Sequence, residues 1–314
     1  MFDFRRHARS GLLIAAAMAM TLTAAACGAP ASAPGPAAAP PAPEEPRSVQ
    51  LVRAAYDNIA SAKNYDITFT MRMSSTAAES ELTIDGTAAY FLDPAEIRLL
   101  TDMTLRVGES APTRETREQY IFAEDGGLTV FALEDGAWTK SFVASPELSR
   151  ALALDPADDL RLFMENLRAA ELAGEELLNE RPAHKIIVRT AGSVLNQLLP
   201  AEGEESGRFG AAAAKVFEEA GDLQLTLWVD VETGTLVKLH ANLTQFMKKL
   251  ADATDELTRP DLNAAAEAAL KKTLSGVSAE LEYTVSNINS AAPFALPLTA
   301  AEAKVIAPAP PAAE

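Results

Sequence analysis

Cys27 is the only cysteine in the 314-residue chain, so it has no partner for an internal disulfide. The run after it, Gly28-Ala29-Pro30-Ala31-Ser32-Ala33-Pro34, offers a thiol no core to pack in. Its setting points to chemical modification of the sulfur. Other side chains that could do chemistry are scattered. Beyond His7, the only histidines are His184 and His240, each inside an alternating apolar stretch and without the spacing of a zinc site. Gly276-Val277-Ser278-Ala279-Glu280 starts like a nucleophile elbow, but it lacks the second glycine and the strand-to-helix setting. There is no phosphate loop and no dinucleotide fingerprint. Asp158-Asp159, Glu204-Glu205 and Glu218-Glu219 are sequence neighbours whose carboxylates diverge on a helix, as on a solvated surface. These residues predict no catalysis, no cofactor and no metal.

Residues 1–26 have the three parts of an export signal. Arg5, Arg6 and Arg9 come first, the apolar stretch from Leu12 to Leu22 follows, and small residues precede the cut. The apolar stretch is short for a bilayer span. Leu22-Thr23-Ala24-Ala25-Ala26-Cys27 resembles the bacterial lipoprotein signal, whose lipobox is acylated, with palmitate among the chains, on the cysteine and cleaved just before it. Ala24 stands where that pattern most often has leucine, which leaves ordinary signal peptidase cleavage after Ala-x-Ala as the alternative. Arg5-Arg6 lacks the flanking residues of a twin-arginine signal. The resemblance implies an anchor to the cell membrane on its extracytoplasmic face, through acyl chains on Cys27.

The charge balance makes such an anchor useful. The chain has a formal net charge of -17, and loss of the signal removes more basic than acidic residues. Anionic headgroups repel such a body. Acyl chains hold it regardless, at about 0.8 kcal/mol per buried methylene. The same balance excludes nucleic acid as a partner, because phosphate neutralisation needs Lys and Arg. After Cys27, residues 27–46 are dense in proline and alanine and read as a tether. Extended at about 3.1 Å per residue, it reaches roughly 60 Å. Residues 47–306 carry no second linker and are expected to form a single domain, and residues 307–314 a disordered tail.

The periodicities predict the elements of that domain. Val49, Val52, Tyr56 and Ile59 form a helical stripe from Ser48 to Lys63, with Ser48 placed to cap it. Alternation then predicts strands through Tyr65 to Met73, Leu82 to Tyr90, Ile97 to Val107, Glu118 to Ala123, Leu128 to Leu133 and Trp138 to Val143. Asp155-Pro156 opens a helix with the stripe Leu160, Phe163, Met164 and Leu167. Further strands are expected at His184 to Arg189, Leu223 to Val229, Leu236 to Leu243 and Val277 to Ser286, with a turn at Glu232-Thr233-Gly234. Helical stretches are expected at Val194 to Leu199, Phe209 to Ala220, Phe246 to Leu257 and Leu262 to Leu274. This is an α+β pattern, an antiparallel sheet covered by helices on one face.

In its order of elements the chain resembles the bacterial lipoprotein-carrier superfamily of LolA, LolB, LppX and LprG, and within it a group of surface lipoproteins with a LolA-like domain. The segments that carry the resemblance are Lys63-Asn64-Tyr65, Glu134-Asp135-Gly136-Ala137-Trp138, Trp228 to Leu239, and Tyr283 to Asn289. The resemblance implies a strongly curved half-barrel with helices on its concave face. It also implies a cavity for a lipid or other hydrophobic ligand, lined by Phe69, Met71, Leu99, Met103 and Trp228. Read from the residues alone, these side chains equally make a packed core. Two functions therefore remain: a membrane-anchored binder of hydrophobic ligands in the cell envelope, without catalysis, and a cell-surface interaction or sensing module with a filled core.

Overall fold

The computed structural model describes residues 45–77, 79–124, 127–134, 136–143, 156–194, 217–219, 221–252 and 276–306. Cys27, the signal and almost all of the tether lie outside them, as do residues 307–314. So do the helical expectations for Leu262 to Leu274 and most of those for Val194 to Leu199 and Phe209 to Ala220.

Among the described residues twelve strands form one sheet. β1 (Asn64–Ser75), β2 (Ser80–Leu92), β3 (Ala95–Val107), β4 (Thr113–Glu124), β5 (Gly127–Glu134) and β6 (Ala137–Val143) make one antiparallel meander. β7 (Leu167–Leu178), β8 (Arg181–Ala191), β9 (Asp222–Asp230), β10 (Leu236–Asn242) and β11 (Val277–Ser286) make a second. The two are stitched where β11 pairs with β1. β12 (Lys304–Ile306) lies parallel to β6 at one edge, and β7 forms the other. The chain travels from β6 to β7 through helix α2 (Pro156–Glu165), which packs on helix α1 (Arg47–Ala60).

The core shows that the sheet is curved. Laid flat, twelve strands about 4.8 Å apart would span roughly 50 Å, whereas the 14 residues of α1 extend about 21 Å. Yet one continuous apolar cluster joins Leu128 and Val130 on β5, Tyr65 and Ile67 on β1, and Ile186 and Val188 on β8 to Val52, Ala55 and Ile59 of α1. The sheet curls around the helix, and the face it turns to α1 is its inner face. Helix α3 (Thr244–Asp252) closes one end of the same face, where Phe246 and Met247 pack on Val277, Ala279 and Leu223.

Local details depart from expectation at three places. α1 has no side-chain cap at its start; instead the Ser48 hydroxyl donates to the Ala170 carbonyl on β7 at 2.8 Å. Leu167 opens β7 instead of ending α2. β7 and β12 are strands that the periodicity does not announce.

Candidate functional site

Register places four of the five proposed lining residues on the inner face. Met103, Ile84, Met71, Leu281, Ala241, Leu225 and Val188 stand opposite one another in a single lateral row across seven strands. At the β8 end the row is buried in the core; at the β3 end Met71, Ile84 and Met103 are only half-buried. The adjoining row continues the apolar surface with Leu82, Leu105 and Met73, the last packed on the cluster beneath α3. On the other side Phe69 borders the core and Leu99 is within it. The result is an apolar apron that emerges from under the helices along β1, β2 and β3.

Trp228 is not brought together with these four. Leu227 and Val229 point into the core, so the residue between them lies on the outer face. Its indole N–H donates to Glu176 Oε2 at 2.8 Å, and the Lys185 and Lys238 ammonium groups lie 5.4 and 5.2 Å from the ring centre. Lys185 also bonds Glu176 Oε1 at 2.6 Å. The hydrogen bond from Lys185, followed by that from Trp228, holds the Glu176 carboxyl below the ordinary range. Trp138 is on the outer face as well: it stands opposite Leu133, between inner-facing positions of β5 and β6.

The remaining chemical candidates stay apart. His184 is buried on the inner face beside Val229, with Nδ1 3.2 Å from Glu175 Oε1. His240 faces outward opposite Glu282. The Ser278 hydroxyl shares a 2.7 Å hydrogen bond with that of Ser74, with neither histidine involved. Among the described residues no group of three His, Cys, Asp or Glu could hold a metal ion, and no helix is long and apolar enough to cross a membrane.

The family-like segments have structural tasks that spacing alone does not reveal. Lys63-Asn64-Tyr65 meets the end of β11: the Lys63 N–H donates to Asn289 Oδ1 at 2.7 Å and the Ala291 N–H to Asn64 Oδ1 at 2.9 Å. From there the chain crosses the outer face as a strap. Phe294 inserts edge-on between Phe91 and Tyr120, Thr299 accepts from the Trp138 indole at 3.1 Å, and β12 docks on β6. In the β9–β10 turn, buried Asp230 Oδ1 accepts from the Glu232 and Thr233 N–H groups and the Thr233 hydroxyl, while Oδ2 pairs with Arg181 at 3.0 Å. Burial alone would raise the Asp230 pKa, but those hydrogen bonds and Arg181 outweigh it and hold the carboxyl below its usual range. Asn58 of α1 donates to the carbonyls of Thr233 and Gly234, fixing the turn to the helix.

The sequence matches no protein-family model and no curated protein. Solved structures with similar architecture include LprF from Mycobacterium bovis, at 12% identity and a TM-score of 0.47, covering 81% of this chain and 98% of that one. The lipoprotein LppX from Mycobacterium tuberculosis has 12% identity and a TM-score of 0.37, over 80% and 99% of the two chains. A LolA-superfamily protein from Nitrosomonas europaea has 12% identity and a TM-score of 0.19, over 76% and 92%. Similarity at this level assigns no function. The architecture is a half-barrel, one strongly curved and almost wholly antiparallel sheet wrapped around a helix. In this half-barrel α1 packs over β7, β9 and β10, and along β1 to β3 the inner-face residues Met71, Ile84 and Met103 stay half-buried.

Proposed function

We propose that this chain is an extracytoplasmic lipoprotein, anchored through acyl chains on Cys27, whose single domain over residues 47–306 binds a lipid or other hydrophobic ligand without bond chemistry. The half-buried row Met71, Ile84 and Met103, continuous with the core, carries the reading. Flexible, polarisable methionines at such a margin adapt to an acyl chain. Apolar surface left beside a helix gains about 25 cal/mol per Å² when a ligand covers it. The alternative, an interaction or sensing module with a filled core, draws on the complete burial of Val52, Ala55 and Ile59 against the sheet.

The test is to purify the full chain from bacterial membranes, extract it with organic solvent and identify released lipids by mass spectrometry. A lipid recovered in stoichiometric amount supports the binder. No lipid, together with no thermal shift on adding palmitate or phosphatidylglycerol, supports the filled module. The anchor has its own test. Cys27→Ser should move the protein from the membrane fraction to the soluble fraction, and a wild type already soluble would contradict it.

A further inference from the structure

The outer face carries two open hollows that meet. One, of about 420 Å³, lies between the strap and β1, β2 and β3, with Thr68, Thr87 and Ala89 as a floor of small side chains and Phe294 at its wall. The other, of about 270 Å³, lies among the β7–β8 turn, the β9–β10 turn and the end of β11, with Asn179, Thr235 and Thr284 on its lining. Ser286 and Asn287 line both. A chain-like ligand passing Asn287 would therefore touch each hollow in turn.

The chemistry of the lining selects the ligand. Its charged groups already have partners within the protein: Arg98 lies 3.3 Å from Glu118, Asp66 accepts from Asn287 at 2.6 Å, and Asp230 pairs with Arg181 at 3.0 Å. What it offers beyond them is the hydroxyls of Thr87, Thr284 and Ser286 and the Asn179 amide, each able to donate and accept, set among aliphatic side chains such as Leu100 and Val237, with one aromatic ring. The main-chain groups of β1, β2 and β11 are used in the sheet ladder, so an extended peptide would find no strand to join. Polyanions are repelled by a body of net charge -17. Sugar hydroxyls match the Thr, Ser and Asn side chains, and the C–H face of a pyranose matches the Phe294 ring. We propose that this outer groove binds a neutral oligosaccharide. It is a second site, on the opposite side of the sheet from the apolar apron, and does not depend on what the apron binds.

The test uses the full chain in detergent with maltotetraose, chitotetraose and mannotetraose, and a heparin tetrasaccharide as the anionic comparison, read by saturation-transfer NMR and calorimetry. At least one neutral tetrasaccharide should bind with a Kd of about 1 mM or tighter, and Ser286→Trp should weaken it by about tenfold. Asn287→Gly keeps a residue that tolerates the φ of 52° found there while removing the amide and, with it, the hydrogen bond that holds Asp66. It should weaken binding by about threefold and leave thermal unfolding close to wild type, so the test stands even where the tryptophan variant does not fold. No binding by any neutral tetrasaccharide, equal binding of the heparin fragment, or unchanged affinity in Asn287→Gly would overturn the proposal. So would displacement of the sugar by an extended peptide.

Discussion

The Phe69 ring lies across Gly86, its cross-strand partner on β2, where any β-carbon would overlap the ring. The pair sits where the buried core gives way to the half-covered apron, so it sets the height of the apolar surface there. Phe69 can lie flat against the sheet because Gly86 has no side chain.

Gly86→Ala should therefore destabilise the fold by about 1–3 kcal/mol through overpacking. Phe69→Leu shortens the side chain, and in that background the alanine should cost less, with a coupling of about 1 kcal/mol or more. Urea unfolding of the four proteins in a double-mutant cycle measures it. Additive effects would mean that the ring does not occupy that space.

Asp230 makes a pH-dependent contribution. Its folded pKa is below the unfolded value, so the stabilisation is fully present above the unfolded pKa and is lost as pH falls through the folded one. Asp230→Asn should cost about 1–3 kcal/mol at neutral pH, since hydrogen bonds to a charged group are the stronger kind. It should also flatten the acid limb of stability against pH. Denaturant titrations at neutral and acid pH give both numbers, and an unchanged acid limb would remove Asp230 from the account.

Both tryptophans of the chain are on the outer face. Intrinsic fluorescence should therefore hold its maximum when a ligand covers the inner apron. Trp228→Ala should lower stability while leaving acyl-ligand affinity within about twofold, because what it removes is its bond to Glu176 and its contacts with Lys185 and Lys238. A clear fluorescence shift on saturation would place the ligand on the wrong side of the sheet for this reading.

The strap contributes through Phe294. Phe294→Ala removes two edge-on ring contacts and should cost about 2–3 kcal/mol, at or below the lower end for buried aromatics because the ring is half-exposed. Hydrogen exchange should then rise at β12 and along the β6 edge before it rises in β1 and β11. Uniform loss of protection would mean that the strap is not a separable element.

Alternation made most of the sheet legible, because a strand with one face on a core repeats every two residues. It also contained the information that separates Trp228 from the other lining candidates. Leu223, Leu225, Leu227 and Val229 share one parity and Trp228 has the other. β7 was hidden for a different reason. Leu167 to Leu178 is rich in Ala, Leu and Glu and mostly exposed, so its intrinsic preference is helical, and only pairing with β8 makes it a strand. β12 has three residues and exists through its contact with β6, far away in sequence. The strap was hidden likewise, since its anchors Asn64, Trp138 and Asn289 do their work only once the sheet has assembled.

The central claim is that the inner apron holds an acyl ligand. Native mass spectrometry of the full chain with deuterated palmitate and phosphatidylglycerol, run on wild type and on Met71→Arg, tests it most directly. Met71 is half-buried, so the arginine can reach solvent while its charge blocks the apron. The account predicts a bound-ligand mass in wild type that falls by about tenfold or more in Met71→Arg while the variant stays folded. Absence of that mass in wild type, or its persistence in the variant, would contradict it.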